Sequence, residues 1–82
     1  MTKSIPTREV ISYRISAALT EFGVETEIRP DDTWDQIDVD SLDLAELAQI
    51  IDDEFGVELR HLDIQAVKTV GQAVDLIAAR AG

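Results

Sequence analysis

Apolar residues recur early in the chain at the spacing of one helical face: Ile11, Ile15, Ala18 or Leu19, and Phe22. That pattern predicts a helix from about Arg8 to Phe22, opened by Thr7 as N-cap with Glu9 in its first turn and closed by Gly23. Residues 1 to 6 read as a loose lead-in. Between Val24 and Val39 the period is lost, and Pro30, the Asp31-Asp32 pair and scattered acids predict a long connection. A connection of that length in a small chain needs anchoring, so Ile28, Trp34 and Ile37 are expected in the core, with one helical turn after Pro30.

The period returns with Leu44, Ala48, Ile51 and Phe55, at i, i+4, i+7 and i+11, joined by Leu47. Asp40 or Ser41 can cap this second helix and Gly56 can end it, giving about four turns. Leu42, Ala45 and Ile50 fall outside or at the margin of the stripe. They are either an apolar docking surface or part of a wide core face. Val57 to Val67, with Leu59, Leu62, Ile64 and Val67 apolar, reads as an ordered loop holding one brief helix. Thr69-Val70-Gly71-Gln72 fits a capping box, in which Thr69 caps the third amide and Gln72 reaches back to the N–H of Thr69. Val70, Ala73 or Val74, Ile77 and Ala81 then form a last stripe, with Arg80 at its negative end. The expected fold is all-α: a small four-helix bundle with three main helices, one short helix and a long first loop, in one domain over residues 1–82.

Composition narrows the function. The 82 residues contain no cysteine, so neither a disulfide nor a thiolate metal site supports the fold, and helix packing must. The net charge is −10, and from Pro30 to Leu59 eleven acidic residues stand without one Lys or Arg. Nucleic acid and anionic lipid are repelled by such a segment, while a basic patch on another protein is attracted; the alternative is a solvated acidic surface. No apolar run is long enough to span a membrane and the start lacks a signal peptide's apolar core, which points to the cytoplasm. A chain running from Met1 to Gly82 with no linker attached suggests a stand-alone protein, and a monomer is expected.

Ser41 is the residue with chemistry at hand, sitting at the positive end of an acidic helix. As a nucleophile it needs a base and an orienting group, yet the single histidine, His61, is twenty residues away and carboxylates surround the serine. A calcium loop starting at Asp38 supplies Asp40 at position three, but Leu42, Asp43 and Gln49 then stand where ligand, glycine and glutamate belong. Starts at Asp31, Asp32 and Asp40 fail too. What the residues leave is either an ordinary cap with no modification or a serine modified by another protein, since a phosphate-linked arm there lies beside unpaired amides at the end of a dipole.

Asp40-Ser41-Leu42-Asp43 with Glu46 and Leu47, then Asp53 to Leu59, then Thr69 to Val74, resemble the acyl carrier protein family over nearly the whole chain. The resemblance implies that Ser41 bears 4′-phosphopantetheine, attached by a magnesium-dependent phosphopantetheinyl transferase. The thiol of that arm holds acyl groups as thioesters and delivers them to acyl-loading and chain-elongating enzymes of fatty-acid or polyketide biosynthesis. It also implies a non-catalytic protein whose Asp40, Asp43, Glu46, Asp52 and Asp53 meet basic patches and whose Leu42, Ala45 and Gln49 form an apolar docking stripe. Two positions depart from the family: Asp38 replaces a frequent glycine, and Gln49 a commonly apolar residue. Other readings are an aminoacyl or peptidyl carrier using the same Ser41, and an unmodified acidic interaction module.

Overall fold

The structure, a computed structural model, describes residues 6–81; most of the expected lead-in, residues 1–5, lies outside them, as does Gly82. Four helices follow in order: α1 (Arg8–Glu21), α2 (Ser41–Phe55), α3 (His61–Ala66) and α4 (Val70–Ala81). Among the described residues there is no strand, only a single bridge between Thr33 and Thr69. The fold is a small all-α bundle with three main helices, one short helix and a long first connection, as expected.

Each predicted boundary has a local cause. Thr7 accepts the Val10 amide at 3.2 Å to open α1. Gly56, at φ 67°, returns its amide to Asp52 and ends α2 in the left-handed conformation that glycine adopts without strain. Thr69 accepts the Gln72 amide at 3.1 Å, the first half of the expected capping box. The second half differs: the Gln72 side chain accepts the N–H of Lys68 at 2.6 Å, one residue further out than Thr69. Backbone carbonyls complete the cap, because Asp32 O accepts from Val70 N and Pro30 O from Gly71 N at 2.9 Å. The connection lies so close to α4 that a Cβ on Gly71 would stand 3.0 Å from the Pro30 oxygen.

The core is the seam where these faces meet. Ile11, Ile15, Ala18 and Leu19 from α1 face Val70, Ala73, Val74 and Ile77 from α4, and Leu47 and Ile51 of α2 close the third side. Both members of the pairs left open in α1 and α4 are buried. Trp34, Ile37 and Val39 come in from the connection, so its anchoring is observed, although Ile28 is only half-buried. The turn expected after Pro30 takes the form of overlapping i to i+3 turns, with Gln36 N, Ile37 N and Asp38 N donating to Thr33 O, Trp34 O and Asp35 O. In α2 the stripe is rotated from its expected centre: Ala48 is half-buried on the side of α3, and Ile50 joins Leu44 and Phe55 in packing against the core. α1 and α2 are in contact, and Arg14 of α1 pairs with Glu54 of α2. Leu42 and Ala45 stay exposed, so the wide core face is ruled out for them.

α3 buries no residue fully and is held by charge as well as packing. Arg80 donates to both oxygens of Asp63 at 2.7 Å and to Glu58 O at 3.1 Å. Arg80 stands in the last turn of its own helix, as expected, and its fork also reaches across to α3. The Arg80 guanidinium, with the Arg60 amide, holds the Asp63 carboxyl down at about 2 from an ordinary 3.8. A depressed carboxyl contributes stability above its unfolded value and loses it as pH falls through the folded one. Asp63→Asn should therefore lower the denaturant midpoint near neutral pH, with the gap to wild type closing between pH 3.8 and about 2. A gap that does not change across that window would show that the pair adds nothing.

Candidate functional site

The approach to Ser41 is set by two turns in the connection. Thr33 and Gln36 cap each other, with Thr33 N donating to Gln36 Oε1 at 2.8 Å and Gln36 N to Thr33 Oγ1 at 3.3 Å. This reciprocal box was legible as Thr33-Trp34-Asp35-Gln36 and was missed. Asp38 then takes φ 58°, the left-handed region, and Val39 N closes on Trp34 O at 2.9 Å. That reversal sends Val39 inward while Asp40 and Ser41 emerge at the surface. An L side chain is strained at such a φ, which glycine would adopt without cost.

Asp40 is the cap of α2, which decides between the two candidates. Its backbone is extended and its Oδ1 accepts the Asp43 amide at 2.9 Å. Ser41, the first helical residue, is exposed, and its hydroxyl bonds to no other described residue. The amides of Ser41 and Leu42 lie at the start of the helix, where no preceding turn supplies an acceptor. The serine is thus structurally spare, beside unpaired donors and the positive end of a dipole.

At about 100° per residue, the positions flagged on α2 sort onto two surfaces. Leu42, Ala45, Glu46, Gln49, Asp52 and Asp53 are all exposed and share the outward face, with Leu42 75% exposed. Asp43 sits half-buried on its shoulder. Gln49 donates to Asp53 at 3.2 Å, so the polar residue in the apolar stripe is tied to the acidic row.

On its other side Ser41 borders a cleft of about 600 Å³ between α2, the connection and α3. Trp34, Val39, Leu44, Ala45, Ile64 and Val67 give it an apolar lining, and Trp34 Nε1 donates to Val67 O at 3.2 Å across its base. His61, Gln65 and Lys68 of α3 and its exit stand on the same cleft. Sequence reasoning set His61 apart from Ser41 by chain distance, and the fold brings both to one cavity. The imidazole is nevertheless bonded to neither Ser41 nor a carboxylate among the described residues, so the proton relay of a serine nucleophile is not assembled. No local pattern marked Ile64, Gln65 or Lys68 as cleft residues, because that role depends on where α3 docks.

Residues 15–77 match a family described as a phosphopantetheine attachment site. The chain is 38% identical over 64 residues to an acyl carrier protein of Solidesulfovibrio magneticus, an overlap covering 76% of this chain and 82% of that protein. It is also 38% identical over 58 residues to an acyl carrier protein of Acidothermus cellulolyticus, covering 68% of this chain and 69% of its relative.

Two stability measurements check the local geometry. Asp40→Ala should cost about 1 kcal/mol through loss of the cap, whereas Ser41→Ala should stay within about 0.5 kcal/mol. Equal losses would make the hydroxyl structural. Asp38→Gly should raise stability by up to about 1 kcal/mol by relieving the left-handed backbone, less the glycine's own entropy. A loss in chemical denaturation would refute that strain.

Proposed function

The chain belongs to the acyl carrier proteins, which bear a covalent 4′-phosphopantetheine, and on that premise we propose that Ser41 is the attachment point and that the chain carries without catalysing. One observation carries the reading. The serine of the family motif is exposed and free of structural duty, since Asp40 caps the helix in its place. A transferase can reach such a hydroxyl, and the neighbouring Ser41 and Leu42 amides favour the anionic phosphodiester that results. The arm supplies a terminal thiol on which acyl groups ride as thioesters.

The outward face of α2 serves as the docking surface for partner enzymes. Leu42 and Ala45 are apolar area that the chain does not cover itself, and Glu46, Asp52 and Asp53 rim it with negative charge. Partners with a basic patch around an apolar depression match it, and charge of this kind acts mainly on association rate and specificity. Asp40 and Asp43 add charge at the serine itself. The enzymes proposed to use this face load and elongate acyl chains in fatty-acid or polyketide biosynthesis.

Incubation with coenzyme A, magnesium and a broad-specificity phosphopantetheinyl transferase should add the mass of one arm. Ser41→Ala should abolish the addition while leaving the far-ultraviolet circular dichroism unchanged. An arm added to the alanine variant, or none added to the wild type, would overturn the assignment.

A further inference from the structure

α3 and the loop that leads into it hang between two fixed ends. At the far end Val67 O accepts Trp34 Nε1 at 3.2 Å, Thr69 bridges to Thr33, and Val70 N donates to Asp32 O at 3.1 Å. At the near end Val57 is buried in the core. Among residues 58–66 between them, Leu59 alone packs against the buried cluster, while Leu62 is 77% exposed. Ile64 lines cavities of about 600 and about 420 Å³ that lie between α3 and α2, so that side is loosely filled. Apolar contact therefore does little to hold this helix down.

Arg80 supplies what packing does not. From the last turn of α4 it donates to both Asp63 oxygens and to Glu58 O, so one guanidinium holds the helix and its entry loop together. The Asp63 carboxylate also accepts the Arg60 amide at 2.9 Å, which couples the ion pair to the first turn of α3. Its side chain is 20% exposed, less than any other arginine-paired carboxylate among the described residues, so water screens this pair least. We infer that α3 is a latched flap: Arg80 is the latch, the Val67–Thr69 junction is the hinge, and release opens residues 58–66 as one unit while α1, α2 and α4 stay folded. A helix of six residues is unstable alone, so undocking and unwinding coincide. Release uncovers Leu44 and Ala48 on the flank of α2, next to the exposed Leu42 and Ala45. The latch thereby sets how much apolar surface α2 offers, a consequence that rests on the proposal that this helix docks partner enzymes.

The test is hydrogen exchange of the unmodified chain in increasing, sub-denaturing urea. The amides of Ile64 and Val67, which donate to the carbonyls of Arg60 and Asp63, should exchange with little dependence on urea. Those of Ile15 and Ile51, in the core, should follow the steep dependence of global unfolding. Arg80→Met should speed the α3 amides about five-fold without steepening their urea dependence. Adding Asp63→Asn to that variant should change the rate by less than about two-fold, because the pair is already broken. Amides of α3 as steep in urea as Ile15, a rate unmoved by Arg80→Met, or full additivity of the two substitutions would overturn the latch. Because the chain tested bears no arm and meets no partner, failure here is separate from failure of the docking proposal, which the transferase reaction and binding to enzymes decide.

Discussion

The long connection between α1 and α2 is held to the start of α4 by backbone hydrogen bonds, and the site is built outward from that junction. Pro30 and Asp32 supply carbonyls to Gly71 and Val70, amides that the helix itself cannot satisfy. One set of bonds therefore caps α4 and fixes the level at which the connection crosses the bundle. From there the Thr33–Gln36 box and the left-handed Asp38 determine where Ser41 emerges. Gly71 is required by this closeness, not by its own φ, since a methyl group there would press on the Pro30 backbone.

Packing and charge divide the remaining work unequally. Removing a buried isoleucine such as Ile15 or Ile77 from a core of this kind costs on the order of 2–5 kcal/mol, whereas an exposed ion pair contributes at most about 1 kcal/mol. The seam of α1, α2 and α4 therefore supplies most of the stability, and the arginines act as links. Arg8 joins α1 to Asp75 on α4, Arg14 joins α1 to Glu54 on α2, and Arg80 joins α4 to Asp63 on α3. Because cations are scarce, spending them across helices leaves the outward face of α2 without compensation. Its negative field is then directed at whatever approaches the serine.

The same placement explains how a small bundle can serve a flexible arm. The helix that presents Ser41 is anchored by Leu47 and Ile51 beneath, so the proposed attachment point sits on a firmly packed element. α3 is the opposite case: six residues, none fully buried, docked by one bidentate pair and by half-buried contacts. The cleft thus has one firmly packed wall and one lightly held wall, and the lightly held one is the easier to open locally.

Periodicity and caps were enough to read the three long helices, the brief helix after Leu59 and the glycine stop at Gly56, because those features depend on neighbours three or four residues apart. The motif around Ser41 was readable for the same reason, since an N-cap and the residue after it are local chemistry. Other features could not be read this way. That Arg80 reaches α3 from the end of its own helix, that Ile50 turns inward while Ala48 faces α3, and that His61, Gln65 and Lys68 share a cavity with Ser41 all depend on how helices dock. Docking is decided by the sum of many weak contacts between residues distant in the chain, and no short window of sequence contains both sides of such a contact.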